Sequence, residues 1–141
     1  MATLPVSMPD EAAPKLERCV RTLGFKGTVL CGKVGQLHLD DTRLFLIFQH
    51  AEMLGAPILI HPRMPDAAVR DDYYSGFAPA VDTAFATYGL GWHYDAGIQF
   101  IRLVLAGTFD RLPKLQVILG HWGKWCCSTP SVWPRWTGCP G

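Results

Sequence analysis

The sequence predicts one α/β domain built on a parallel sheet. Short apolar runs, typical of strands buried on both faces, alternate with segments in which apolar residues recur every three or four positions. Two of these runs are followed by a histidine. His61 comes directly after 58–60, and His121 follows 117–119 after one glycine, Gly120. At 141 residues and 49% hydrophobic residues, the chain has the length and apolar content of one globular domain.

The first part of the chain predicts two strand–helix pairs and a third strand. We expect strands at 2–6 and 25–30, helices at 10–23 and 41–54, and the third strand at 57–60. The apolar face of the first helix consists of Leu16, Cys19, Val20 and Leu23, and that of the second consists of Leu44, Ile47, Phe48, Ala51 and Leu54. Such a face is what a helix needs in order to pack on a sheet.

The second part adds a long connection, a third helix and a fourth strand. Residues 63–90 are rich in Pro, Gly, Asp and Tyr and lack sustained periodicity, so we expect a functional or disordered loop. A helix is predicted at 92–109, a turn at 110–114 and a strand at 115–119. The predicted order is β-α-β-α-β, a long loop, and α-β, which favours a parallel sheet buried on both faces.

The last residues differ in composition from the rest of the chain. Residues 122–141 hold four Trp, three Cys, three Pro and three Gly without a helical or strand period. We therefore predict a domain over 1–123 and a disordered tail over 124–141. Cys126, Cys127 and Cys139 have poor spacing for a zinc site and lack an obvious fourth ligand.

Charge and hydropathy exclude several classes of partner. A net charge of +1, with Lys and Arg scattered singly, argues against a nucleic-acid or membrane-surface protein. No apolar run approaches the roughly 18 residues that span a bilayer. The first ten residues lack the pattern of a signal peptide, so we expect a cytoplasmic location.

His61 and His121 form the best candidate site. The C-terminal ends of parallel strands meet at one edge of a sheet, where α/β proteins bind ligands and metals. Neutral imidazole serves there as a metal ligand or transfers a proton. Either histidine alone is as well explained as a hydrogen-bonded residue at a strand end, but the pair favours a shared site. The two histidines are not accompanied by an HxH, HExxH or CxxC spacing, which would favour metal binding over proton transfer.

Weaker candidates lie along the same edge. The guanidinium of Arg63 would suit a carboxylate, although a surface arginine explains it equally well. His93 and Asp95, near the start of the third helix, would reach a substrate or simply cap the helix. Cys31 follows an apolar strand and is expected to be a small buried residue.

Five motifs occur in order along the chain. They are Leu-Gly-Phe-Lys-Gly at 23–27, Leu-Asp-Asp at 39–41, the stretch at 51–63 that ends in Ile-His-Pro-Arg, the stretch at 103–115 that contains Gly-Thr-Phe-Asp-Arg-Leu-Pro, and Ile-Leu-Gly-His-Trp-Gly at 118–123. Together they resemble the amidohydrolase-related family, in particular its metal-dependent decarboxylases of γ-resorcylate (2,6-dihydroxybenzoate) and aminocarboxymuconate semialdehyde. The resemblance extends over about residues 2–123.

The resemblance implies a partial TIM (β/α)₈ barrel, with about four parallel strands corresponding to strands three to six. It implies that His61 is a ligand of a divalent metal, zinc or manganese, and that His121 acts in catalysis beside that metal. The family's remaining ligands, on the first and eighth strands, have no counterpart here. Lys124 stands where the family commonly has a glutamate.

The function implied by the resemblance is non-oxidative decarboxylation of a small aromatic or unsaturated carboxylate, with the chain as a fragment of the enzyme. One alternative is a metal-dependent hydrolase of a lactone or C–N bond in the same superfamily. Another is a catalytically inactive truncated product, because the ligand set is incomplete. Arg63 is the expected contact for the substrate carboxylate, and a homo-oligomer is a further expectation.

Overall fold

A computed structural model describes residues 1–121 of the chain, and the predicted tail at 124–141 lies outside them. Four strands alternate with helices in this part of the chain. The strands are β1 (Ala2–Thr3), β2 (Thr28–Cys31), β3 (Ile58–His61) and β4 (Val117–Leu119). The helices are α1 (Pro9–Arg21), α2 (Phe45–Met53), α3 (Ala67–Tyr73), α4 (Pro79–Ala84), α5 (Gly91–Leu105) and α6 (Thr108–Arg111). A 3₁₀ turn (Thr42–Leu44) precedes α2, and a kinked π-helical segment (Phe85–Gly89) precedes α5.

The four strands form one parallel sheet in the order β1-β2-β3-β4, so the predicted fold class is confirmed. Within this sheet Cys31 lies opposite His61, and Ile60 lies opposite Leu119. Because all strands run the same way, their C-terminal ends form a single rim. We call this edge of the sheet the rim.

The hydrophobic core lies between one face of the sheet and the helices. Leu30, Ile58 and Ile60 are fully buried on this face and pack in one cluster with α1 and α2. From the predicted apolar faces, Leu16, Cys19, Ile47, Phe48 and Ala51 belong to this cluster, whereas Leu23 is exposed. Burying these side chains supplies the main driving force for folding.

The opposite face of the sheet is more open. Ile118 is 48% exposed there, and Cys31 is also exposed, so the prediction that Cys31 is buried is wrong. The physical reason is strand alternation: Leu30 points into the core, and its neighbour Cys31 points to the other face. The same alternation places His61 on the open face, beside Cys31.

Two further predictions need correction: the loop expected at 63–90 and the helix expected at 92–109. The connection at 63–90 contains α3 and α4, which are short helices of seven and six residues without fully buried side chains. Weak amphipathicity explains why the sequence pattern missed them. The long helix predicted at 92–109 ends at Leu105, because Gly107 adopts a left-handed conformation with φ of 67° and separates α5 from α6.

No helix within the described residues is both long enough and apolar enough to cross a membrane.

Candidate functional site

His61 is the last residue of β3 and its ring is half-buried on the open face of the sheet. Its Nδ1 lies 2.8 Å from the carbonyl oxygen of Pro62. A carbonyl oxygen only accepts hydrogen bonds, so in the neutral ring Nδ1 carries the proton and Nε2 carries the lone pair. Backbone contacts of this kind orient the histidine ligands of protein metal sites. His61 is therefore prepared to bind a cation through Nε2.

His121 lies two residues beyond β4 and reaches the same site by a different route. Its φ is 60°, the only positive φ of a non-glycine residue in the described chain. Just before it, the Gly120 amide donates to the Ile60 carbonyl at 2.9 Å, and a Cβ on Gly120 would stand 2.8 Å from that oxygen. Glycine thus allows the chain to approach β3 closely. Backbone strain of this kind is common at functional sites.

The structure brings the two predicted histidines together. The ring centroids of His61 and His121 are 5.3 Å apart, with the planes nearly perpendicular. Expected proximity of the two strand ends is therefore confirmed, because β3 and β4 are neighbours in the sheet. Their chemical roles remain predictions.

The first turn of α5 adds two more rings to this site. The rings of Trp92 and His93 lie 6.1 Å and 6.0 Å from that of His121. His93 Nε2 is 3.2 Å from the Tyr88 carbonyl oxygen, which accepts a hydrogen bond from that nitrogen. His93 was among the weaker candidates, whereas Trp92 was not predicted at all. Its position next to His93 was the only signal in the sequence.

Arg63 lies on the rim, where its side chain contacts the backbone of the loop after β2 and its amide contacts a carboxylate on α5. Its Nη1 donates to the Lys33 carbonyl at 2.6 Å, and its amide donates to Asp95 Oδ2 at 3.1 Å. A guanidinium has five N–H donors, so a substrate carboxylate has donors left to bind. The role of Arg63 as a carboxylate contact therefore stays a prediction.

Asp95 is half-buried on α5 beside this loop. Burial raises the pKa of Asp95, and the hydrogen bond from the Arg63 amide opposes that rise. Asp95 does not cap the helix, which was the alternative expectation. It lies inside α5, and its carboxylate accepts a hydrogen bond from the Arg63 amide.

A cavity of about 290 Å³ lies beside Arg63 and Asp95. It is separate from the paired histidines, neither of which lines it. Its polar wall includes His38 and Gln99, whose Nε2 donates to His38 Nδ1 at 3.0 Å. Nearby, Lys33 pairs with Asp66, and this hydrogen bond lowers the pKa of Asp66. The cavity is thus lined by two basic side chains, Lys33 and Arg63, and by two acidic ones, Asp66 and Asp95.

The role of His61 as a metal ligand stays a prediction, and its tautomer is one that a ligand could use. Within residues 1–121, however, no group of three or more His, Cys, Asp or Glu side chains is arranged to hold a metal ion. Among the described residues, the side chain that fits a metal ion is therefore that of His61, and the His121 ring lies beside it.

Comparison with known proteins identifies the family. The family model described as Amidohydrolase matches residues 1–138. The chain is 34% identical over 123 residues to the decarboxylase orsB of Emericella nidulans, a match that covers 87% of this chain and 37% of orsB. It is 32% identical over 132 residues to the γ-resorcylate decarboxylase of Polaromonas sp., with 87% and 38% covered. The chain thus spans less than half the length of these relatives.

Solved structures agree with this assignment. A Staphylococcus aureus protein assigned to the amidohydrolases matches with a TM-score of 0.82 and 44% identity, over 85% of this chain and 40% of that one. The 2,6-dihydroxybenzoate decarboxylase from Rhizobium matches with a TM-score of 0.74 and 31% identity, over 86% and 38%. A dihydroxybenzoic acid decarboxylase from Polaromonas, with bound manganese and the inhibitor 2-nitroresorcinol, matches with a TM-score of 0.69 and 28% identity, over 86% and 36%.

These matches confirm that the four strands and their helices form part of a TIM barrel. They also confirm the family that the sequence motifs indicated, and related structures hold a divalent metal, manganese. The family match extends over nearly the whole chain. The chain belongs to the amidohydrolase family.

Proposed function

We propose that this chain is part of a metal-dependent, non-oxidative decarboxylase that acts on a small aromatic carboxylate. The single observation that carries the proposal is the contact between His61 and His121 at the rim, with ring centroids 5.3 Å apart. The decarboxylases among its relatives and the 2,6-dihydroxybenzoate bound in a related structure support this substrate class. A small unsaturated carboxylate is the wider alternative, supported by a similar aminocarboxymuconate semialdehyde decarboxylase.

We propose that His61 binds the metal and that His121 transfers the proton needed for decarboxylation. His61 would bind a divalent cation, zinc or manganese, through Nε2, with further ligands from outside residues 1–121. When bound, the metal would supply Lewis acidity and hold the substrate's oxygen atoms. Arg63 is the proposed contact for the substrate carboxylate, through guanidinium donors other than the one bonded to Lys33.

His121 would transfer the proton that decarboxylation requires. Its exposed imidazolium donates a proton to the ring carbon that bears the carboxylate, the C–C bond breaks, and its electron pair restores the aromatic ring as carbon dioxide leaves. Water then returns a proton to His121. A group positioned for such a transfer typically contributes 10²–10⁴-fold to the rate.

Other expectations go with this proposal. A homo-oligomer and a cytoplasmic location stay predictions. Hydrolysis of a lactone or C–N bond is the competing activity within the same family, and an inactive product is the competing outcome because the ligand set within residues 1–121 is incomplete.

The test uses the full chain, loaded with Mn²⁺ or Zn²⁺ and incubated with 2,6-dihydroxybenzoate. Metal affinity is measured by titration calorimetry, and resorcinol and carbon dioxide are quantified. We expect His61→Ala to lower metal affinity by about 10-fold or more. We expect His121→Ala to keep the metal and to lower turnover by about 100-fold.

His50→Ala is the matched control, because His50 lies on α2 and is bonded to the Leu46 carbonyl at 3.0 Å rather than at the rim. It should change neither quantity. Metal binding that survives His61→Ala unchanged would remove the proposed ligand. A metal-free, inactive wild-type chain would leave only the family relationship.

A further inference from the structure

The peptide group between Pro62 and Arg63 is bound on both of its sides. Its carbonyl, the Pro62 oxygen, accepts from His61 Nδ1 at 2.8 Å. Its amide, the Arg63 N–H, donates to Asp95 Oδ2 at 3.1 Å. The three groups therefore form one continuous chain of hydrogen bonds: carboxylate, peptide, imidazole.

A peptide can transmit such an interaction because its C=O and N–H are conjugated in one plane. The peptide is trans, since the described chain contains no cis peptide bond. A carboxylate that accepts from the N–H increases the negative charge on the carbonyl oxygen, and hydrogen bonds in series strengthen one another. Asp95 therefore makes the Pro62 carbonyl a better acceptor for the Nδ1 proton of His61.

Close packing keeps the Asp95 carboxylate in place. A Cβ on Gly32, at the end of β2, would stand 2.6 Å from Asp95 Oδ2 and 3.1 Å from the Cβ of Arg63. The Arg63 side chain is tied to the same loop through the Lys33 carbonyl. The carboxylate, the peptide and the loop after β2 thus lie against one another, and only glycine fits between them.

We propose that Asp95 is a positioning residue for His61. Acting through the Pro62–Arg63 peptide, it stabilises the Nδ1–H tautomer, in which Nε2 is the nitrogen available to a divalent cation. In many metal sites a carboxylate contacts the histidine ligand directly. Here the carboxylate is one peptide group removed. The identity of His61 as a metal ligand rests on the proposed function, whereas its tautomer does not.

The first measurement is made on the full chain without metal. The chain is labelled with ¹⁵N-histidine and held at a pH at which the imidazoles are neutral. Long-range ¹H–¹⁵N correlation spectra then distinguish protonated from unprotonated ring nitrogens, and the His61 signals are assigned from the spectrum of His61→Gln. We expect Nδ1–H to be the main tautomer of His61 in the wild-type chain.

Two variants test the role of Asp95. Asp95→Ala removes the acceptor, and we expect the ratio of Nδ1–H to Nε2–H tautomer at His61 to fall about 10-fold. Asp95→Asn keeps a neutral acceptor oxygen, so its ratio should lie between those of the wild type and Asp95→Ala. This graded order is not expected from a merely structural role, and the asparagine variant keeps the test valid if the alanine variant does not fold.

Asp66→Ala is the matched control. Asp66 lines the same cavity as Asp95 but bonds to Lys33 rather than to the Pro62–Arg63 peptide. It should leave the His61 tautomer unchanged. An unchanged His61 tautomer ratio in folded Asp95→Ala or Asp95→Asn would overturn the proposal, as would an equal change in Asp66→Ala.

A zinc titration of the same variants separates this inference from the proposed function. We expect Asp95→Ala to lower Zn²⁺ affinity by about 10-fold, with Asp66→Ala unchanged. If the wild-type chain binds no zinc, the proposed function fails. The metal-free tautomer measurement still decides whether Asp95 controls His61.

Discussion

The two strand ends that carry His61 and His121 are similar in sequence and different in structure. His61 is the last residue of β3, its side chain is half-buried, and its tautomer is set by the Pro62 carbonyl. His121 lies beyond the end of β4, is exposed, and has a left-handed backbone conformation. One imidazole is thus held by the regular strand geometry and the other by a turn.

This difference matches the chemistry proposed for each residue. A metal ligand benefits from a fixed ring and a fixed tautomer. A group that transfers a proton must exchange it with water, and an exposed position permits that exchange. The rings of Trp92 and His93 on α5 lie beside His121 without burying it.

The largest expected effect concerns the anchoring of the two strands. Ile60, next to His61, is fully buried, whereas Ile118 on β4 is 48% exposed. We expect Ile60→Ala to lower the free energy of unfolding by about 2–5 kcal/mol, because it leaves a cavity in the core. Ile118→Ala should cost less than about 1 kcal/mol, since much of its side chain is already in water. Denaturant unfolding of both variants measures this, and equal losses would contradict the comparison.

The next effect concerns the support of the His61 side of the rim. Gly32→Ala introduces a Cβ 2.6 Å from Asp95 Oδ2, at a residue with φ of 45°. We expect a loss of about 1–3 kcal/mol in unfolding free energy. Gly35→Ala is the control, because Gly35 also has a positive φ, 59°, but no atom within 4 Å of its Cβ position. The difference between the variants isolates the contacts with Asp95 and Arg63, and similar losses would show that backbone strain alone is responsible.

A smaller effect tests the backbone at the two histidines directly. His121→Gly should be more stable than His121→Ala by about 1 kcal/mol, because the left-handed conformation is strained for alanine and unstrained for glycine. At His61, in an extended strand, the order should reverse, with alanine more stable by about 0.5–1 kcal/mol. Thermal unfolding of the four variants gives both differences. The same order at both positions would mean that the two strand ends do not differ in backbone.

The smallest effect is the pH dependence of stability near Arg63. The hydrogen bond from Lys33 lowers the pKa of Asp66, so its stabilising contribution is present above the unfolded pKa, about 3.9, and is lost as the pH falls through the folded value. Burial raises the pKa of Asp95, so its contribution is present below about pH 3.9 and is lost as the pH rises through the raised value.

Melting temperatures of Asp66→Asn and Asp95→Asn, measured from pH 2 to 7, check these two signs. The melting temperature of Asp66→Asn should lie furthest below that of the wild type near neutral pH, and the two should converge at acidic pH. Asp95→Asn should gain stability relative to wild type as the pH rises. Parallel pH profiles for the two variants would contradict the assignment.

The sequence predicted the architecture well where periodicity was strong. The helices over Leu16 and Phe48 and the strand before His61 were all expected, because their apolar residues must face a core. The helices within 63–90 were missed, since they bury almost nothing and so leave no periodic signal. The break at Gly107 was missed because a helical pattern continues across it.

The sequence alone determined the order of the strands and of α1, α2 and α5, the parallel sheet, and the presence of a histidine at each of two strand ends. Those features follow from local apolar spacing, which any folded form of the chain must satisfy. The tertiary structure decided how the histidines are used: the left-handed turn at His121, the exposed Cys31, and the hydrogen bonds from His61 through a peptide to Asp95. The hydrogen bonds from Arg63 to Asp95 and from Gly120 to Ile60 join residues more than 30 positions apart, and such contacts leave no pattern in a single sequence.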